Sequence, residues 1–312
     1  MLLFIRANAI FSNDTDTLAA CCLAARLRRK HLYYDAHELF PDVPELQGRP
    51  RVQAVWRLIE RKALPRTTHA FTVSQSVADE YRRRYGIDMT VVRNVPDVKV
   101  ESGKLKVEKR NSQLSTLNFQ LLYQGAVNIG RGLREMVDVL QLLPECRLTV
   151  AGDGDLLEQM KQYTAALPWH DRVEFLGRVQ PDRLRTLTAQ ADLGLCLLED
   201  LGLNYRYSLP NRIADFAQVG VPVLATDFPE IRHVIEEYGT GTLVPPLPDD
   251  KSGDEYARFL DRLAEAIRSA LRYWAEMPEE EYRRRFARAG EELNWQHEKE
   301  KLLADLRPTH SK

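Results

Sequence analysis

Strand-length apolar runs alternate with helical patterns along most of this 312-residue chain, and that alternation is what most restricts its fold. Strands separated by helices pair in parallel through βαβ crossovers. In the first third, strands are predicted at Leu2–Ala9, His31–Asp35, Ala70–Ser74 and Thr90–Arg93, with helices at Thr15–Arg29, Arg51–Leu64 and Ser76–Arg84. The polar, charged stretch from Pro96 to Ser115 reads as a linker. A more regular series follows, with strands at Phe119–Gln124, Arg147–Ala151, Val173–Leu176, Leu193–Leu198, Val221–Ala225 and Gly241–Val244. Between them lie helices at Leu133–Leu143, Leu156–Ala166, Asp182–Gln190, Ile213–Val219 and Glu230–Glu237, and the helical stretches Glu255–Ala275 and Pro278–Leu306 close the chain. The expected class is α/β, with two Rossmann-like domains over residues 1–112 and 113–290 and a closing helix and tail over 291–312. In the second domain a ligand belongs outside the carboxyl ends of the strands.

Composition narrows the partners. The apolar opening Met1 to Ile10 is interrupted by Arg6 and Asn8, is too short to span a bilayer, and lacks the basic start and small-residue cleavage site of a leader. It reads as a buried strand, and the expected location is cytoplasmic. Cys21, Cys22, Cys146 and Cys196 show no CxxC spacing and read as reduced thiols. Residues 1–110 hold 20 Lys and Arg against 13 Asp and Glu, a balance of +7, while the remainder balances at −8. Such a split suits one face meeting an anionic membrane surface or phosphorylated acceptor; it equally suits two halves that attract each other. No nucleic-acid partner is expected.

Four loops fall at the carboxyl ends of the second domain's strands. The first, Tyr123 to Leu133, has glycines that let backbone approach a ligand, and Arg131 sits just before a helix N-terminus, where phosphate is favoured. The second is Gly152-Asp153-Gly154-Asp155, a GxG without the third glycine of the dinucleotide fingerprint. In the third, Gly177 and Val179 can present backbone groups to a base. The fourth is the most informative: Ser208-Leu209-Pro210-Asn211-Arg212 leads into a helix carrying Asp215. Pro210 suits a first helical turn, leaving the donors of Leu209, Asn211 and Arg212 free, with Asp215 one turn on to accept from a ribose. Read singly, each loop is also compatible with an ordinary turn or capped helix.

The run from Ser208 to Asp215, followed by Gly220-Val221-Pro222-Val223-Leu224-Ala225-Thr226-Asp227, resembles the donor-site signature of glycosyltransferase family 4. The three upstream loops match the family in order and spacing. So do Tyr34-Asp35-Ala36-His37-Glu38, Phe71-Thr72-Val73-Ser74-Gln75-Ser76 and Val91-Val92-Arg93-Asn94 in the first part. The resemblance implies the GT-B fold, two domains facing across a cleft, and sugar transfer from a nucleotide diphosphate with retention and without a bound metal or other cofactor. The nucleotide sugar is then a substrate, UDP- or GDP-linked, and the acceptor a glycan or a lipid-linked glycan, as in polysaccharide biosynthesis. By the same resemblance the diphosphate meets Gly125, Arg131, Ser208, Leu209, Asn211 and Arg212; the base, Gly177 and Val179; the ribose, Asp215; and the transferred sugar or acceptor, His37. His37 and Arg131 are the expected catalytic pair.

The chain departs from the family where Asp215 replaces a glutamate, Tyr207 stands at the earlier acidic position, Ala126 replaces an arginine and Arg131 a lysine. The match also begins well inside the family's first domain, since Asn13 to Leu18 corresponds to its middle. The first domain is therefore expected to be reduced, through a late start or because another copy or partner chain completes it. Asp14-Thr15-Asp16 is formally a metal-binding DxD, but it opens a helix, where Asp and Thr are expected as caps. The seven histidines have no metal-ligand spacing. Two other functions fit less of the sequence. One is a non-catalytic nucleotide-sugar-binding or partner subunit of the same fold; the other is an oxidoreductase, disfavoured because no complete GxGxxG follows a strand.

Overall fold

A computed structural model describes residues 6–97 and 118–306. Contacts divide the described residues into two units: 6–94 with Leu201–Leu209 and 295–306, and 95–97 with 118–200 and Pro210–Asn294. Most of the linker expected from Pro96 to Ser115 lies outside the described residues.

The first unit is built from β1 (Ala9–Asn13), α1 (Asp14–Arg28), β2 (His31–Ala36), α2 (Pro50–Ala63), β3 (His69–Thr72), α3 (Gln75–Tyr85) and β4 (Thr90–Val91). Its strands pair in parallel in the order β1-β2-β3-β4. Of the strand expected at Leu2–Ala9, residues 2–5 lie outside the described residues; 6–8 are not in a strand, and the first described strand runs over Ala9–Asn13. Its register explains the shift, because Ile10 and Ser12 pair beside Leu32 and Tyr34 on the buried face. Right-handed crossovers in consecutive order carry α1, α2 and α3 to one face of the sheet. Ile10, Leu32, Tyr34, Ala36 and Ala70 form the core beneath them with Leu18 and Tyr81. On the other side Phe11 stacks on Tyr33 at 4.7 Å, and Tyr33 on His69 at 5.9 Å.

A buried polar cluster holds the helices of this unit in place. Glu60 on α2 is fully buried; its Oε1 accepts from Thr15 Oγ1 at 2.7 Å and the Tyr81 hydroxyl at 3.1 Å, and its Oε2 from the Tyr85 hydroxyl at 2.5 Å. Burial pushes the Glu60 carboxyl above its ordinary range while these donors pull it back. The expected capping role of Asp14 and Thr15 gives way to other bonds. Thr15 serves Glu60 and Tyr34, and Asp14, at φ 57°, accepts the His37 amide through Oδ1 at 2.8 Å. Tertiary partners offer these side chains more than the helix end does.

The second unit contains β5 (Phe119–Gln124), α4 (Leu133–Asp138), β6 (Cys146–Ala151), α5 (Leu157–Ala165), β7 (Val173–Gly177), α6 (Pro181–Gln190) and β8 (Leu193–Cys196). The short α7 (Leu203–Arg206) counts with the first unit; α8 (Arg212–Val219), β9 (Val223–Thr226), α9 (Pro229–Tyr238) and β10 (Gly241–Val244) belong to the second. The parallel sheet has the order β10-β9-β8-β5-β6-β7, so the winding reverses between β5 and β8. On it packs α10 (Gly253–Glu276), burying Tyr256, Phe259, Leu260, Leu263, Ile267, Leu271 and Trp274 at three- and four-residue spacing.

The final helical stretch is two helices, α11 (Glu279–Glu292) and α12 (Trp295–Leu306), the latter counted with the first unit. Asn294 ends α11, its side-chain amide donating to the carbonyls of Glu291 at 2.9 Å and Gly290 at 3.3 Å. Gln218 donates to the Leu293 carbonyl at 2.8 Å. The four cysteines are free, and no helix among the described residues is long and apolar enough to cross a membrane. Thr15→Val removes a donor from a fully buried carboxylate and is expected to cost about 1–3 kcal/mol, read by denaturant unfolding. Wild-type stability in that variant would contradict the account of the cluster.

Candidate functional site

The winding reversal between β5 and β8 opens a crevice at the carboxyl ends of these strands, and the loops that follow them line it. The loop after β5 and the loop after β6 are locked together backbone to backbone. Gly125 donates to Ala151 at 3.0 Å, Val127 to Asp153 at 2.9 Å, and Leu156 to Val127 at 3.0 Å. The Asn128 side chain accepts the Asp155 amide at 3.0 Å. A Cβ at position 152 would lie 1.7 Å from the Gly125 carbonyl oxygen, so only glycine permits this approach. The partial GxG is thus an interlock between two loops, a role its spacing alone does not disclose.

The loop after β8 braces the other side. The Glu199 amide donates to the Gly130 carbonyl at 3.0 Å. Lys251 lies 2.9 Å from Glu199 and 2.8 Å from the fully buried Glu135 of α4. Arg131, half-buried, is therefore carried on a loop fixed at Gly130 and at the start of α4.

Arg212 has the most unusual environment. It is 7% exposed, its guanidinium lies over the Tyr123 ring at 4.4 Å, and its Nη2 would touch a Cβ at position 125 at 3.2 Å. Its Nη1 is buried with no hydrogen-bond partner among the described residues. A buried charge with an unfilled donor is costly unless an anion or its field compensates it. Both Arg212 and Arg131 pull the Cys196 thiol down against the larger upward push of burial, so both arginines converge on the end of β8.

Around this pair, α8 begins at Arg212, one residue before the expected Ile213, and Pro210 stands just ahead of it. The Pro210 carbonyl accepts from Ile213 at 3.0 Å and the Asn211 carbonyl from Asp215 at 3.1 Å. The amides of Asn211 and Arg212 thus precede the helix's own ladder and are first-turn donors. Asn211 is exposed. Asp215 turns toward the sheet, where its Oδ2 accepts from Gln124 Nε2 at 2.9 Å. Burial raises the Asp215 carboxyl to about 6, against the downward pull of Gln124 and Arg212.

The second unit thus brings Gly125, Arg131, Arg212 and Asp215 to one edge. Gly177, at φ 62° with open space around it, and half-buried Val179 follow β7 at the same end of the sheet. Ser208 and Leu209 count with the first unit, where Ser208 Oγ donates to the Tyr205 carbonyl at 2.8 Å. His37 also belongs to the first unit. It follows β2, its Nε2 lies 3.3 Å from Asp35 Oδ2, and that contact raises its pKa above the ordinary histidine value. Among the described residues, no group of three or more His, Cys, Asp or Glu side chains is arranged to hold a metal ion. Sequence reasoning placed Tyr123 and Gln124 in the first loop without a role and did not single out Thr188; a polar residue closing the apolar run of β5 was the available signal.

Two parallel-sheet α/β units, one with its loops gathered at a winding reversal, define the GT-B fold of glycosyltransferases. Residues 2–99 match the family described as Glycosyltransferase Family 4, and residues 119–270 match Glycosyl transferases group 1. The chain is thus built of glycosyltransferase domains of these two kinds. It is 28% identical over 152 residues to alpha-monoglucosyldiacylglycerol synthase of Streptococcus pneumoniae, a match covering 48% of this chain and 31% of the relative. It is 22% identical over 214 residues to alpha-D-kanosaminyltransferase of Streptomyces kanamyceticus, covering 65% and 53%. The matched region is thus about a third to a half of the length of these curated relatives. In fold, it resembles Anabaena Alr3699/HepE in complex with UDP, with a TM-score of 0.69 at 18% identity, covering 96% of this chain and 78% of that one.

The two glycines separate steric from conformational cost. Gly152→Ala is expected to lose the interlock and with it cooperative folding of the second unit. Gly177→Ala, with free space but a left-handed backbone, is expected to cost about 1–2 kcal/mol. Thermal melts of both variants check the order; equal effects would refute the interlock.

Proposed function

We propose that this chain transfers a sugar from a nucleoside diphosphate to a glycan or lipid-linked acceptor with retention. The observation that carries this reading is Arg212, a buried guanidinium with an unfilled donor at the edge where Arg131 and the first-turn amides of α8 also stand. When the bond between the anomeric carbon and phosphate oxygen breaks, its electron pair goes to the diphosphate. Fixed positive charge and preorganised donors in a partly dry site favour that state over the bound substrate. In this reading Gly125, Asn211, Arg131 and Arg212 serve the diphosphate, as do Ser208 and Leu209; Gly177 and Val179 serve the base, Asp215 the ribose, and His37 the transferred sugar or acceptor. UDP in the HepE complex supports a nucleotide donor, and the alpha-monoglucosyldiacylglycerol synthase among the relatives supports a lipid-linked acceptor.

Arginines supply the charge here, so the reading needs no metal or other cofactor. A thermal-shift panel of UDP, GDP, ADP and their sugar conjugates is expected to show one stabilising nucleotide, unaffected by EDTA. Arg131→Ala is expected to weaken the diphosphate roughly tenfold and leave the nucleoside unchanged, since a charge-assisted contact is lost. An unchanged diphosphate affinity would remove Arg131 from the site. Turnover of the sugar conjugate separates this function from mere binding by a partner subunit.

We also propose peripheral contact with an anionic membrane through the first unit, in a cytoplasmic protein. Leu23 and Leu27 of α1 and Val52, Val55 and Leu58 of α2 are exposed, with Arg26 and Arg29 near the first pair and Arg51, Arg61 and Lys62 near the second group. The Arg82–Arg84 run contributes less, because Arg82 pairs with Asp88, Arg83 with Glu80, and Arg84 with Asp42 and Glu80. Each cation near an anionic leaflet adds about 1 kcal/mol, enough for salt-sensitive binding. The test is sedimentation with phosphatidylglycerol liposomes at low and high salt. Binding lost at high salt is expected, and no binding at low salt refutes the contact. A further copy or partner chain along β1, which pairs on one side with β2, completes the partners of this reading.

A further inference from the structure

Asp215 is one methylene shorter than the glutamate of the family pattern, and the structure surrounds it with a small polar relay. Gln124 ends β5, is 3% exposed, and uses both ends of its amide. Its Nε2 donates to Asp215 Oδ2 at 2.9 Å, and its Oε1 accepts from Thr188 Oγ1 of α6 at 2.7 Å. Thr188 is 2% exposed and has a second acceptor within reach, the Leu184 carbonyl, also at 2.7 Å. One hydroxyl proton cannot serve both acceptors at once.

We propose that Gln124 and Thr188 are positioning residues of the nucleotide site, holding the Asp215 carboxylate in the orientation that accepts a ribose hydroxyl. This rests on the reading of Asp215 as the ribose acceptor. With Asp215 ionised, the Gln124 amide donates to it, and Thr188 donates to the amide oxygen. With Asp215 protonated, the amide turns over. The acid proton then goes to the amide oxygen, the amide nitrogen donates to Thr188, and the Thr188 proton goes to Leu184. Both arrangements satisfy every buried group, but only the first keeps the carboxylate as a pure acceptor.

Burial holds Asp215 near 6, so the exchange falls close to neutral pH. The groups acting on its charge are Gln124 from β5 and Arg212 from its own helix. Among the described residues, no charged side chain from α6, α11, β8 or β9, the elements packed against α8, adds to them. Because the ionised form binds the ribose, affinity rises as pH rises through about 6 and falls below it.

The test is calorimetry of UDP, GDP, ADP and pyrophosphate between about pH 5 and 8, on wild type, Gln124→Leu, Thr188→Val, Thr188→Ser and Asp215→Ala. Gln124→Leu is expected to weaken the preferred nucleotide roughly tenfold at neutral pH, the loss of a hydrogen bond to a charged group. It should also move the pH midpoint upward. Thr188→Val is expected to do the same to a smaller degree, and Thr188→Ser to restore wild-type behaviour. Pyrophosphate, which has no ribose, is expected to bind all variants alike. Wild-type affinity and midpoint in both Gln124→Leu and Thr188→Val, with Asp215→Ala weakened, overturns the positioning role and leaves the ribose reading intact. An equal loss for pyrophosphate makes the role structural and also overturns it. Wild-type affinity in Asp215→Ala, or no nucleotide binding by wild type, overturns the underlying reading instead. If Gln124→Leu fails to fold, the Thr188 pair decides.

Discussion

The contact between Gly125 and Gly152 sets the geometry on which the rest of the candidate site depends. Two strand ends, β5 and β6, are brought so close that the backbone at 152 rests against the carbonyl of 125. That closeness lets Val127 bond to both Asp153 and Leu156, fixing the path of the loop that carries Arg131. It also leaves room beneath Gly125 for the flat guanidinium of Arg212, which a side chain at 125 would displace. Small residues here do not confer flexibility; they permit close packing, and packing confers rigidity.

The charge distribution follows from this packing. Arg212 is dehydrated over Tyr123, where cation–π attraction offsets part of the lost solvation. A fixed charge in a dry position acts more strongly on a nearby anion than a solvated one does. The same dryness raises Asp215 to about 6, and the two residues sit three apart on one helix. The basic donor group is thus held in its charged state, while the acidic group is held near its transition. In such an arrangement a change of pH acts on the Asp215 carboxyl and leaves the Arg212 charge in place.

The first unit shows a different economy of polar groups. Glu60, Thr15, Tyr34, Tyr81 and Tyr85 form one buried cluster in which a carboxylate draws together α1, α2 and α3. Every donor in it is used, which is the condition under which such a cluster specifies a structure. Asp14 and His37 join the ends of β1 and β2 by a backbone-to-carboxylate bond, so the histidine sits on a tethered loop. Asp35 beside it favours the protonated ring.

Much of this architecture was legible in the chain. Alternating apolar runs identified most strands and helices of both sheets, because a residue's burial on a strand or helix face repeats with a short local period. The glycine loops, Arg131, Arg212 and Asp215 could be singled out as candidates because their spacing relative to strand ends is itself local information. The sequence did not disclose that α12 counts with the first unit, that Asn294 divides the final helix, or that Thr15 serves Glu60 and not a helix end. Nor did it disclose that Gln124 and Thr188 stand behind Asp215 from positions 91 and 27 residues away. Those partnerships join residues distant in the chain, and they exist only where the sheet order and helix packing bring them within hydrogen-bond reach. Local period and spacing therefore determined the elements, and the resemblance of the strand-end loops to a known family pointed to the class of chemistry. Tertiary structure decided which polar groups lose water, and so which charges are fixed and which can change.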